Sequence, residues 1–123
     1  SEMCIRDSAM PVLKQNESAF VKVKPGLRRK IIYTPSLMTV INEFYDGPWD
    51  EPEPPHSHPH EQTAYIAAGE VMYYCEDEQQ QHLSAGDMFS APAGKNHTIK
   101  CLTPIVRIVD SFTPIRSEFL EKQ

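Results

Sequence analysis

The chain has 123 residues, enough for one domain with its own core, and its net charge of −5 argues against a nucleic-acid partner. A hydrophobic content of 40% is ordinary for a water-soluble fold, and no apolar run approaches the roughly 20 residues that span a bilayer, so no membrane contact is expected. The N-terminal stretch SEMCIRDSAM lacks the apolar region of a secretory signal, and Cys4, Cys75 and Cys101 show no paired spacing, which predicts reduced thiols in a cytoplasmic protein.

Residues 1–9 carry no hydrophobic pattern and read as a disordered or non-native leader, followed by a single domain over 10–123. Eleven prolines are spread along the chain, and proline ends both helices and interior strands, so long helices are nearly excluded and short strands remain. Val21 and Val23 alternate with Lys22 and Lys24 as in an edge strand, suited to pairing across a two-fold axis in a homodimer. The basic cluster from Lys22 to Lys30 reads as solvated surface. Leu37 to Tyr45 is rich in strand formers, and the proline-rich, acidic stretch from Asp46 to Pro59 reads as a stiff loop. Thr63–Ala68 and Glu70–Cys75 flank Gly69 as in a hairpin, and Glu76–Gln81 resembles the next turn. Asp87–Ala91, His97–Leu102 and Ile105–Phe112 complete the strands, and Ser117–Gln123 looks helical. Strands at this spacing predict an all-β sandwich or barrel with a short C-terminal helical tail.

The histidines carry the chemistry. In an extended chain, residues two apart share a face, so His56 and His58 point the same way and can grip one ion. Gln62 keeps that parity and can add a carbonyl oxygen; His60 has it too and is the rival fourth ligand. Further on, a strand runs from Gly86 into the turn Pro92-Ala93-Gly94, and His97 follows, placed to bring a third imidazole from a neighbouring strand. Three nitrogens and one oxygen suit one divalent transition metal, such as Zn, Ni, Fe, Mn or Cu, better than Ca or Mg.

A second constellation lies near the C-terminus. Within the strand Ile105–Phe112, Asp110 shares a face with Ile108 and Phe112. A carboxylate on an apolar face needs a partner, and a metal-bound water, a substrate hydroxyl or Arg116 could serve.

The first histidine element resembles the first cupin motif, with His56, His58, three residues, Gln62, six residues and Gly69 in register. Gly86, Pro92, Gly94, His97 and Cys101 resemble the second motif. Three departures stand out: Gln62 replaces the usual Glu, Cys101 replaces the usual Asn, and Gly47 lies nine residues before His56 rather than six. The first departure removes the one anionic ligand, so a bound ion would keep its full charge and draw an anionic substrate more strongly. The ending Asp110-Ser111-Phe112-Thr113-Pro114-Ile115-Arg116 is similar to that of the pectin-degradation (KdgF-like) cupins, which are small dimeric proteins that convert 4,5-unsaturated uronates to linear keto sugars. The resemblance implies a double-stranded β-helix, or jelly-roll barrel, with the metal on His56, His58, Gln62 and His97. It implies Asp110 and Arg116 as catalytic residues, with Phe112 and Arg116 holding an anionic sugar. A metal-dependent dioxygenase and a non-catalytic sugar- or metal-binding module are the alternatives.

Overall fold

Among the described residues, two-residue alternation between closely spaced turns yields nine strands and one helical turn: β1 Val21–Lys24, β2 Leu27–Tyr33, β3 Met38–Phe44, β4 Glu61–Ala68, β5 Glu70–Cys75, β6 Gln81–Ser84, β7 Met88–Ala91, β8 His97–Cys101, β9 Val106–Thr113 and α1 Ser117–Leu120. The computed structural model describes residues 12–120. The leader expected at 1–9 and the last three residues of the expected tail lie outside them.

All strand pairs are antiparallel. One sheet has six strands in the order β1-β2-β3-β9-β4-β7, and the other has three in the order β6-β5-β8. The alternating faces of β4, β5 and β9 turn Ala64, Ile66, Val71, Val106 and Ile108 into one core between the sheets, joined by Leu27, Phe44 and Cys101. Each such side chain taken fully from water contributes about 1.5–3 kcal/mol. A second cluster of Met38, Val40 and Phe112 lies further along the same face, covered by Ile115, Phe119 and Leu120 around α1. The three inward polar residues Asn42, Gln62 and Asp110 occur where β3, β4 and β9 pass between these clusters. This is the architecture of a jelly-roll barrel.

Two expectations are corrected. β4 and β5 are not a hairpin, because β4 pairs with β7 and β9 while β5 pairs with β6 and β8. Gly69, at φ +83°, carries the chain from one sheet to the other, and the Ile105 carbonyl and Thr103 hydroxyl crowd the place a Cβ would take. Glycine supplies a corner as readily as a turn, so the hairpin signal was ambiguous.

The cluster Lys22–Lys30 is not simply a solvated surface. It contains most of β1 and the start of β2, whose alternation buries Leu27 and Arg29 and exposes Arg28. On the outer face the register sets Arg28, Glu43 and Arg107 side by side on β2, β3 and β9. Arg28 Nε and Arg107 Nε donate to the two Glu43 carboxylate oxygens at 2.7 and 3.0 Å. Arg29, on the inner face, is only 8% exposed.

Candidate metal and substrate site

Two backbone hydrogen bonds join the histidine elements. His56 N–H donates to the His97 carbonyl at 3.2 Å, and His97 N–H donates to the His56 carbonyl at 3.0 Å. The Pro92–Gly94 turn docks on the same loop, with Gly94 N–H donating to the His58 carbonyl at 2.8 Å. This bracing brings one ring nitrogen each of His56, His58 and His97 within 4.8 Å of one another. His58 and His97 are buried, and His56 stands exposed at the mouth.

The hydrogen bonds decide which nitrogens face inward. His58 Nδ1 donates to the His60 carbonyl and His97 Nδ1 to the Lys95 carbonyl, each at 3.1 Å. His56 Nδ1 makes a looser contact of 3.5 Å with the Pro54 carbonyl. A neutral imidazole that donates through Nδ1 keeps a lone pair at Nε2. Burial holds all three rings below their ordinary pKa and so favours the neutral form, and the Arg116 charge adds to this at each ring.

The donor set fits a cation. His97 Nε2 is buried with no hydrogen-bond partner among the described residues. His58 Nε2 lies 3.0 Å from Gln62 Oε1, so a lone pair faces a carbonyl oxygen, which a shared cation would reconcile. Three imidazole nitrogens and one amide oxygen match a divalent transition ion. His60 is not in this group: its carbonyl supports His58, and its own Nδ1 is buried without a partner.

Asp110 is buried on β9, and its side-chain partners are two amides rather than Arg116, one of the three candidates the sequence offered. Asn42 Nδ2 donates to Asp110 Oδ2 at 2.7 Å, and Gln62 Nε2 donates to Asp110 Oδ1 at 3.0 Å. Both donors stand diagonally across from it on the neighbouring strands, within side-chain reach. Burial pushes the carboxyl pKa up, against the two amide hydrogen bonds and the charges of Arg29 and Arg116. Arg116 Nε instead donates to Glu118 at 3.0 Å. Its guanidinium lies 5.1 Å from the Phe112 ring centre and 4.2 Å from that of Phe119.

Phe112 is 3% exposed and belongs to the core, edge-on to His58 and Phe119, while also lining the cavity. That cavity is about 100 Å³ and is walled by His56, Gln62, Asp110, Phe112, Arg116 and Arg29. Pockets that bury drug-sized ligands run to roughly 300–1,000 Å³, so the space suits a ligand no larger than a single sugar. Two guanidiniums, of Arg29 and Arg116, face two carboxylates, of Asp110 and Glu53, so the formal charges of the wall balance.

Sequence reasoning missed Arg29 and Asn42. Arg29 Nε donates to Asn42 Oδ1 at 2.9 Å, and its guanidinium lies 4.0 Å from the Phe119 ring centre. A basic run signals surface, and a lone Asn in a strand signals nothing until its cross-strand neighbours are known. Cys101 is buried in the core; burial pushes its thiol up to about 12, so it is no nucleophile at neutral pH.

Comparison with known proteins bears on the family and the fold. The cupin domain family model matches residues 48–109. The chain is 33% identical over 107 residues to the pectin degradation protein KdgF of Dickeya dadantii, covering 85% of this chain and 94% of that protein. The structure of KdgF from Halomonas sp. superposes with a TM-score of 0.77 at 34% identity, covering 86% and 96% of the two chains. An RmlC-like cupin from Shewanella frigidimarina gives a TM-score of 0.80 at 27% identity, covering 90% and 96%.

Proposed function

The chain belongs to the cupin family, and we propose that it is a metal-dependent enzyme that opens and ketonises a 4,5-unsaturated uronate. The observation that carries this reading is one small cavity in which a histidine–glutamine cluster and the Arg116 guanidinium meet a buried carboxylate. The likeness to pectin degradation proteins supports the substrate class.

His56, His58, His97 and Gln62 Oε1 would hold one divalent transition metal. When bound, it supplies a Lewis acid for an oxygen of the sugar. The remaining steps fall to the chain itself. Among the described residues Arg116 donates to a side chain only through its Nε bond to Glu118, and its terminal N–H groups hold the uronate carboxylate. Phe112 gives the sugar ring an apolar wall. Asp110 takes the proton of the anomeric hydroxyl as the C1–ring-oxygen bond breaks, leaving a C1 aldehyde and a C5 enolate. It then delivers that same proton to C4 as the enolate becomes the C5 ketone, so the reaction is a net isomerisation. A dioxygenase acting on an apolar substrate would leave Arg116 without a task. Pairing of β1 across a two-fold, which would give a homodimer, belongs to the same proposal.

The test is metal analysis of the purified protein, followed by loss of the ultraviolet absorbance of the conjugated acid on adding unsaturated uronate. Stoichiometric metal and turnover are expected, both lost in the double variant His56→Ala/His58→Ala. Metal content unchanged in that variant would overturn the site.

A further inference from the structure

The stretch from Gly47 to His56 is three residues longer than the first cupin motif, and the chemistry proposed above makes no use of the surplus. Its place in the fold is well defined. Trp49 N–H donates to the Cys101 carbonyl at 3.1 Å, Glu53 N–H to the Ile99 carbonyl at 2.9 Å and His56 N–H to the His97 carbonyl at 3.2 Å. From Trp49 to Glu53 the loop takes four steps while β8 takes two, and from Glu53 to His56 it takes three while β8 takes two. The three surplus residues therefore fall on either side of Glu53, and bulges of this kind re-aim a side chain beside a site. We infer that Glu53 is a substrate-binding residue that accepts hydrogen bonds from the hydroxyls on the C2–C3 edge of the uronate ring. This inference rests on the proposed ring-opening reaction.

Glu53 stands between a surface lysine and the cavity. Lys24 Nζ donates to Glu53 Oε1 at 2.6 Å, with the two side chains 41% and 18% exposed, so the lysine reaches in from the solvent side. Among the described residues this is the one donor to the carboxylate, whose two oxygens offer about four acceptor positions. The same residue lines the cavity of the site. Its backbone is pinned to β8 by the bond to Ile99 and by the Thr98 hydroxyl, which donates to the Glu53 carbonyl.

The polar groups of the ring assign themselves to the walls. In the proposed reaction the C1 hydroxyl goes to Asp110 and the C5 carboxylate to Arg116, while C4 carries only hydrogen. The C2 and C3 hydroxyls remain. In a space of about 100 Å³ they are stripped of water and need acceptors. Glu53 is the carboxylate of that wall not already engaged with the C1 hydroxyl, and as an acceptor-only group it can take both neighbouring hydroxyls. A carboxylate in a site for an anion would otherwise only oppose binding, and recognition of hydroxyls gives it a task there.

The test is the steady-state kinetics of ring opening of an unsaturated uronate by metal-loaded protein, in the parent, Glu53→Leu, Glu53→Gln and Lys24→Met. Glu53→Leu removes the acceptor and keeps an apolar side chain of similar reach. It should raise KM by about 10–100-fold, the loss of a hydrogen bond to a charged group, with kcat within a few-fold of the parent. Loss of charge alone predicts the opposite sign, because removing a carboxylate should draw the anionic sugar more strongly. Glu53→Gln keeps one acceptor oxygen and should raise KM by less, and it serves if Glu53→Leu does not fold. Lys24→Met breaks the ion pair but leaves the carboxylate, so its KM should stay within a few-fold of the parent. Unchanged or lower KM in folded Glu53→Leu or Glu53→Gln overturns the inference. So does an equal rise in Lys24→Met, which would mean that the ion pair only braces the loop. A parent that does not open unsaturated uronates removes the proposed function and this inference with it, whereas an active parent with indifferent Glu53 variants removes the inference alone.

Discussion

Replacing Asp110 with Asn separates chemistry from architecture. Asp110 accepts two amide hydrogen bonds, at 2.7 and 3.0 Å. The substituted amide offers one oxygen and one NH2 to two facing donors, so one buried donor loses its acceptor, at about 1–3 kcal/mol. Asp110 is also a buried carboxylate, and relief of its burial offsets part of that loss. At about 4 °C per kcal/mol for a domain of this size, the melting temperature should fall by no more than about 10 °C. Turnover should fall much further, by about 10²–10⁴-fold for a lost proton-transfer group, equivalent to roughly 3–5 kcal/mol in the barrier. The assay is ring opening of an unsaturated uronate with saturating metal, with melting temperature and metal content measured on the same samples. Turnover per folded, loaded molecule within a few-fold of the parent would remove Asp110 from the mechanism.

Arg116→Ala should raise KM for the charged sugar with little change in kcat, because it withdraws binding common to ground and transition states; an unchanged KM would show that the carboxylate lies elsewhere. Burial holds His56, His58 and His97 below 6.5 in the folded chain. The unfolded chain therefore binds more protons as pH falls through 6.5, and the metal-free protein should lose stability from pH 7 towards pH 5. A denaturant midpoint after chelation that stays flat over that window would contradict this. Gly69→Ala should lower the unfolding free energy by more than about 1 kcal/mol, read as a fall in the denaturant midpoint, since the residue sits at φ +83° against the Ile105 carbonyl. A midpoint equal to the parent's would show that the corner can relax.

Some of this structure is legible in the residues alone. β5 begins and ends where its alternation says, at Glu70 and Cys75, and β9 differs from its expected span by one residue at each end. The spacing of His56, His58 and His97 points to the cluster, because period-two geometry is local and a Pro-x-Gly turn has few conformations. β2 is hidden because its basic side chains imitate a surface run, although every second one turns inward. The hairpin at Gly69 is misread because local sequence specifies a bend without specifying the sheet the next strand joins. The partners of Asp110 are hidden for a different reason. Asn42 lies 68 positions away and Gln62 lies 48 away, and only the pairing of β9 with both β3 and β4 brings them together.

The position of β9 also bears on how the molecule comes to be folded. It follows all the other strands in sequence, yet it lies inside the larger sheet between β3 and β4. Until it inserts, Met38–Phe44 and Glu61–Ala68 each present an unpaired strand edge, and Asp110 and Phe112 are absent from the cavity. Closure joins Met38 to Phe112, a contact between distant parts of the chain, and folds dominated by such pairings take milliseconds to seconds to form. Open apolar edges held for that long invite association between chains. The hazard to this protein therefore lies in the interval before its last strand docks, and a helper that shields β3 and β4 in that interval would raise the yield of active molecules without touching the finished structure.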